Sequence, residues 1–414
     1  MRAFNFQIFT YHNYAFLKLL AFRVLIVLAY QIMAVTVGWH IYEITHDTLA
    51  LGLVGLVELI PYFACALFAG YAIDHHYSRR FFGALAACML AASALALTFI
   101  STSWGQQYLS SNTLWIYSAL AFSGFGRAFI APSHSSLFAI IIPREEYARA
   151  AGIGSSVFQA GLVIGPALGG LLVGFASKSV AYAIAALLCV GAALAMWSIK
   201  VKEPPPAVSA PVFTSIADGL RFVFNHQIVL GALSLDMFAV LFGGAVAMLP
   251  AFIQDIYRIG PEGLGLLRAA PAMGAIFTGL WLTRHPINLH AGRWLLGAVA
   301  GFGVCMIGFG LATSFWVAGA LLALSGVCDG VSVITRQTIL QLVTPDNMRG
   351  RVSAINGIFI GSSNELGAFE SGFAARLMGL VPSVIFGGLI TLGVVGLTAK
   401  LAPKLRDLEL QQLH

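Results

Sequence analysis

The chain has 414 residues, 59% of them hydrophobic and only 10% charged, with a mean hydropathy of +0.86. Soluble domains carry about 25% charged residues, so folding in water would leave much of this apolar surface uncovered, and the composition specifies an integral membrane protein. The net charge of +6 is spread over loops without a basic tract, which excludes a nucleic-acid protein, and disordered, collagen-like and disulfide-scaffold classes are excluded with it.

The N-terminal residues 1–15 contain no compact apolar region and no small-residue cleavage site, so no cleaved signal peptide is expected. Beyond them, apolar stretches long enough to cross a ~30 Å hydrocarbon layer recur about twelve times. They run over 16–44, 49–73, 80–100, 113–140, 147–175, 179–199, 227–255, 262–284, 292–312, 315–342, 350–378 and 382–402. Strand-like alternation is nowhere sustained, which argues against a β-barrel. Cys65, Cys88, Cys189, Cys305 and Cys328 all lie in apolar runs without CxxC spacing and read as small apolar residues. Arginine and lysine concentrate in alternate connections, among them Arg79, Arg80, Arg144, Arg149, Lys200, Lys202, Arg349, Arg351 and Lys400, against Lys178, Arg258 and Arg376 on the other side. Positive connections stay in the cytoplasm, which predicts that both termini are cytoplasmic.

The connection 200–218 contains Pro204, Pro205, Pro206 and Pro211, which favour extended geometry. It divides the chain into an N-terminal six-helix bundle, 1–199, and a C-terminal one, 219–414. An offset of 202 residues superposes Ser123 on Ser325, Gly124 on Gly326, Pro143 on Pro345, Arg149 on Arg351, Gly165 on Gly367 and Gly170 on Gly372 without a gap. Repeated six-span halves of this kind are a transporter signature.

Between the second and third stretches runs G-Y-A-I-D-H-H-Y-S-R-R, with Gly70, Asp74, Arg79 and Arg80 at characteristic spacing. It resembles the loop signature of the major facilitator superfamily, in which a carboxylate and guanidiniums form a charge latch where two helix ends approach. His75 and Tyr77 depart from that signature, standing where a basic residue and a second glycine are usual. The fifth stretch carries Gly161, Gly165, Pro166, Gly169 and Gly170, which resembles the groove motif of drug/proton antiporters in the same superfamily, where glycines permit close helix packing. Residues 51–74, 143–170 and 344–352 look most like the bacterial enterobactin-exporter and drug-efflux branch. The resemblance implies an all-α integral membrane fold of twelve transmembrane helices in two pseudo-symmetric six-helix bundles.

Ionisable residues inside spans are costly and are functional candidates by default. The offset places Arg127 on Asp329 and His134 on Arg336; because the family's fourth and tenth spans face one another, an Arg127–Asp329 bridge near the midplane is expected. Glu58 and Arg268 each stand three residues before a proline, Pro61 and Pro271, and the companion expectation is either a Glu58–Arg268 lock in the outer half or Glu58 as the carboxyl that binds and releases the coupling proton. Arg336 is assigned to the inner gate, and Asp236, Asn364, Glu365 and Glu370 to the cavity. Glu365 and Glu370 fall where the first half has Val163 and Leu168, so the second half is expected to exchange a packing surface for carboxylates.

No phosphate loop and no spaced nucleophile and base are present, so neither ATP-driven transport nor an enzyme is indicated, and no cofactor or resident metal is expected. The expected activity is secondary active export of a small amphipathic organic solute of the drug or siderophore class by proton antiport. The expected setting is the bacterial inner membrane, with the substrate, protons and the lipid bilayer as partners, no nucleic acid and a monomeric state. A divalent-cation exporter using Asp236, Asp329, Glu365 and Glu370, or a receptor with a transporter fold, are the alternatives.

Overall fold

The protein is described by a computed structural model over residues 11–75, 78–109, 113–203, 212–285, 287, 290–345 and 348–409. Among these the secondary structure is helical, without strands. The apolar stretches become α1 (Tyr11–Thr45), α2 (Thr48–His75), α3 (Arg79–Ile100), α5 (Thr113–Ile141), α6 (Tyr147–Phe175) and α7 (Lys178–Trp197) in the first half. A short α4 (Ser103–Leu109) joins α3 to α5, and α8 (Val212–Asn225) precedes the second half. There, α9 (Gln227–Phe242), α10 (Leu249–Ala251), α11 (Pro261–Arg284), α12 (Ala291–Leu311), α13 (Phe315–Val343), α14 (Arg349–Met378) and α15 (Leu380–Leu401) follow, with a final turn, α16 (Pro403–Arg406). Eleven helical segments among the described residues are long and apolar enough to span a bilayer. α14 is as long as its neighbours but carries Asn356, Asn364, Glu365 and Glu370 among its apolar residues, and it supplies the twelfth crossing of the fold.

Two departures from the sequence expectation have local causes. The stretch 227–255 is not one regular helix: α9 stops at Phe242, and the chain continues through a 3-10 turn, Ala245–Met248, the single turn α10, and a π-helical stretch, Phe252–Tyr257. The break falls on Gly243 and Gly244, where a side-chain carbon on Gly244 would lie 2.8 Å from the Gly367 carbonyl oxygen of α14. The connection 200–218, expected to be extended, is helical from Val212 onward; residues 204–211 lie outside the described ones. Val223 of α8 is fully buried against Val352 and Ile355 of α14, which gives the helix an apolar seat.

The chain forms two compact units, Met1–Val37 with Val57–Ser209, and Gly38–Leu56 with Ala210–His414. In the first, α3 packs against α5 and α7, and α6 lies on α1 through glycines spaced four apart on one face. Side-chain carbons added at Gly161, Gly165 and Gly169 would come within 2.5 Å of Val27, 2.6 Å of Gln31 and 3.2 Å of Ile32. Gly170 and Pro166 are buried beside them. In the second unit α13 packs against α11 and α12, and α12 against α15. The corner between α1 and α2 belongs to this unit, where Asp47 pairs with Arg376 at 3.2 Å and the Tyr42 hydroxyl donates to Asp255.

Each unit has a close helix approach at a glycine, and the two glycines are related by the 202-residue offset. A side-chain carbon on Gly124 would sit 2.4 Å from the Glu58 carbonyl oxygen, and one on Gly326 only 1.9 Å from that of Pro271. Because the obstacle is backbone, relief requires moving a helix, and Gly326→Ala is expected to cost about 1–3 kcal/mol. Gly396→Ala, with open space around it, is expected to cost nothing. Thermal unfolding of the two variants in detergent distinguishes these outcomes.

Candidate functional site

In the first unit the contact at Gly124 brings α2 against α5, and the side chains that follow on the same face of α5 meet Glu58. Ser123 and Arg127 are four residues apart and share that face. Glu58 is 4% exposed. Its carboxylate accepts from Ser123 Oγ at 3.0 Å and from the Tyr30 hydroxyl at 3.1 Å, and it pairs with Arg127 Nη1 at 3.0 Å. Arg127 also donates to the Tyr30 oxygen at 2.7 Å. Its guanidinium carbon stands 4.5 Å from the Tyr30 ring centroid and 5.6 Å from that of Tyr62, close enough for cation–π attraction. The Arg127 side chain keeps 25% of its surface exposed, so this ion pair is closed on one side and open on the other.

The second unit holds a deeper pair. Asp236 on α9 and Arg336 on α13 are 6% and 1% exposed and meet at 3.1 Å through Asp236 Oδ2 and Arg336 Nη2. Arg336 Nη1 donates to Asn356 Oδ1 on α14 at 2.6 Å, so one guanidinium ties three helices together. Asp329 stands two helical turns before Arg336 on the same side of α13, and it lines a narrow recess with Asp236 and Ser332.

Within the first unit Glu58 is bonded to Arg127, and within the second Asp236 answers Arg336. The offset identifies equivalent positions, but equivalence does not bring two side chains together; a buried charge pairs with the counter-charge on the helix packed beside it. Arg268 lies instead with its guanidinium near Gly38, and the Glu365 carboxylate lies near Gly55, both within the second unit. Asn364 is exposed and donates to the Ile360 carbonyl of its own helix at 2.9 Å, while Glu370 is half-buried. The packing surface of α14 is not surrendered to its carboxylates: Gly367 still admits α9, and Gly372 still admits Thr48 and Gly52. Among the described residues no group of three or more His, Cys, Asp or Glu side chains is arranged to hold a metal ion.

The loop signature is held by a residue that the motif does not contain. Arg80 reaches Glu203 at 3.6 Å and donates to the Ile199 carbonyl at 2.9 Å, and the Arg79 backbone N–H donates to Glu203. Gly70 lies in open space, and the Asp74 side chain lies outside the described residues. Tyr30, Tyr62, Ser123, Ser332, Asn356 and Glu203 were not singled out by sequence reasoning. The one signal available was for Ser123, which precedes the glycine of the repeat.

Each unit thus holds a buried ion pair within a bundle of membrane-spanning helices, and the family comparison decides its kinship. The family description of the Major Facilitator Superfamily matches residues 19–368. The chain belongs to the major facilitator superfamily. Within it the chain is similar to the enterobactin exporter EntS of Escherichia coli O1:K1 / APEC, 25% identical over 387 residues covering 92% of this chain and 90% of that protein. EntS of Escherichia coli O6:K15:H31 (strain 536 / UPEC) gives the same identity and coverage. Among solved structures, a bacterial homolog of the human lysosomal transporter Spinster, described as inward-facing and unoccupied, superposes with a TM-score of 0.76 at 15% identity, covering 96% of this chain and 98% of that one. A POT family transporter in complex with 5-aminolevulinic acid does so with a TM-score of 0.70 at 12% identity, covering 94% and 96%. The protein is therefore a multi-pass membrane transporter of the superfamily, with an exporter among its relatives.

Within this superfamily member the two pairs differ in burial, which separates their energetic roles. Asp236→Asn leaves the Arg336 charge uncompensated in the membrane interior and is expected to destabilise by about 3–5 kcal/mol. The double variant Asp236→Leu with Arg336→Met removes both charges and is expected to recover most of that loss. Melting in detergent, with Glu58→Gln as the milder comparison because Arg127 is partly exposed, measures the difference.

Proposed function

We propose that this protein is a secondary active exporter of a small amphipathic organic solute of the drug or siderophore class. It exchanges the solute for protons by alternating access of the bundles 1–199 and 219–414, as a monomer in a bacterial inner membrane with both termini cytoplasmic. The similarity to enterobactin exporters supports the substrate class and the direction.

The observation that carries the reading is the half-open Glu58–Arg127 pair between two tyrosine rings. Arg127 presents a planar cation on aromatic faces, and a phenolic or acidic group on a solute can replace Glu58 as its partner. Displaced from Arg127, the Glu58 carboxylate is left without its counter-charge, so bound solute and the closed Glu58–Arg127 pair exclude one another.

Proteoliposomes of the purified protein, tested with a catecholate siderophore and a set of amphipathic dyes, are expected to move solute faster when a pH gradient is imposed. Movement indifferent to that gradient overturns antiport. Arg127→Lys, which keeps the charge but loses the planar fork stacked on tyrosine, is expected to lower flux by about tenfold.

A further inference from the structure

In the first unit the seam between α1 and α5 continues past the Glu58–Arg127 site, toward the start of α1, and carries a second cation. The two helices run antiparallel along it: Arg127 meets Tyr30, and further along Phe138 meets Phe16 with ring centroids 6.3 Å apart. Arg23 stands seven residues before Tyr30, and His134 seven after Arg127. Seven residues are two helical turns, so both lie on the seam about 10 Å from the first site. His134 is within electrostatic reach of Arg23, and its ring stacks on Phe138 with centroids 6.1 Å apart.

Arg23 differs from Arg127 and Lys18 in how its charge is met. Arg127 has Glu58, and Lys18 Nζ donates to the Ser198 carbonyl at 2.7 Å. Among the described residues Arg23 makes no hydrogen bond and no ion pair. Its guanidinium carbon lies 5.2 Å from the centroid of the Phe158 ring on α6, and its Nη1 lies 3.5 Å from where a side-chain carbon on Gly154 would stand. Gly154 and Phe158 are one turn apart, so the half-buried guanidinium is held sideways against α6 instead of running along α1 to the membrane surface, where snorkelling would take it. A phenyl ring attracts the face of a guanidinium but accepts none of its five in-plane N–H groups. Those donors have no acceptor among the described residues, inside a span where an unmatched cation is costly.

We propose that Arg23, Phe158 and His134 form a binding site for the carboxylate of an aromatic acid, the seat such a solute takes on the cytoplasmic side of Arg127; this rests on the export reading above. A carboxylate offers two coplanar oxygens, which match two parallel N–H groups at the edge of a guanidinium whose face lies on a ring. Bound there, it supplies the counter-charge that Arg23 lacks, and the solute's own ring lies beside the stacked His134 and Phe138. Arg127 presents the same elements, a guanidinium with aromatic faces beside it, two turns further along the seam. An acid leaving Arg23 therefore meets a second cation before it reaches bare hydrocarbon. Glu58 already holds Arg127, whereas no carboxylate among the described residues competes at Arg23, so the inner seat is the one that fills first.

Equilibrium dialysis of radiolabelled salicylate against the full chain in phosphatidylcholine nanodiscs, with empty discs subtracted, tests the site. Arg23→Gln is expected to weaken binding at least about tenfold, as the loss of a charged hydrogen bond does, and Arg23→Lys, which keeps the charge without the planar fork, to weaken it less. Salicylamide, similar in shape but uncharged, is expected to separate the wild type from Arg23→Gln by less than about twofold. Arg23→Gln is also expected to melt no lower than the wild type in detergent, because it removes a charge that the protein leaves uncompensated; clearly lower melting assigns Arg23 to packing against Phe158 and overturns the site. Adding phosphatidylglycerol to the discs is expected to leave the ratio between the two proteins unchanged, and collapse of that ratio gives Arg23 to a lipid phosphate instead. If the wild type binds no salicylate, or binds it no better than Arg23→Gln, while dyes still cross proteoliposomes, the site is wrong and export stands. Arg23-dependent binding by a protein that moves no solute supports the anion site and overturns export.

Discussion

An arginine buried in a membrane protein has to be answered by a carboxylate at hydrogen-bonding distance, because no solvent is present to share its charge. Arg336, at 1% exposure, is among the largest fully buried side chains, and its contacts reach α9 and α14 from α13. Removing that contact would separate three helices of the second unit around an unmatched cation. The first unit uses the same device in a looser form, with Glu58 enclosed by Ser123, Tyr30 and Arg127 while Arg127 remains partly exposed. One pair is enclosed on every side; the other leaves its arginine a quarter exposed.

The Glu58–Arg127 pair depends on glycine. Between apolar helices there is no hydrophobic driving force from surrounding lipid, so association depends on backbone contact and the polar bonds that contact permits. Gly124 brings the backbone of α2 so close that Glu58 has nowhere to go but onto the adjoining face of α5. Gly161, Gly165 and Gly169 fix α1 against α6 and so set the position of Tyr30. The glycines act first, and the ionic chemistry follows from where they put the helices.

Most of the architecture was legible because hydropathy and helix length are local properties. The expected stretch 147–175 reappears as α6 and 315–342 as α13 with its end moved by one residue. The candidate charges were legible too, since an intramembrane Glu58 or Arg336 is conspicuous by composition alone. Their partners were not. Pairing depends on which helices are neighbours and how they are rotated, and the repeat arithmetic, which relates Arg127 to Asp329, carries no information about rotation. Tyr30 and Asn356 had no signal, because an aromatic or amide residue in a span acquires meaning only when a charge is placed beside it. The break after Phe242 was likewise hidden: two adjacent glycines are tolerated in an apolar helix until another backbone, here Gly367 of α14, comes close enough to use them.

The two halves differ in the charges they place inside their spans. Here the position equivalent to Arg127 is Asp329, so a cation in one half corresponds to an anion in the other. The first half keeps a balanced, aromatic-flanked pair whose arginine is partly exposed. The second keeps a balanced pair and one further carboxylate beside a recess that admits about a single water. The charge at offset-related positions is inverted while the glycine contacts at Gly124 and Gly326 are retained in both halves, so the packing frame did not have to change for the charge to do so.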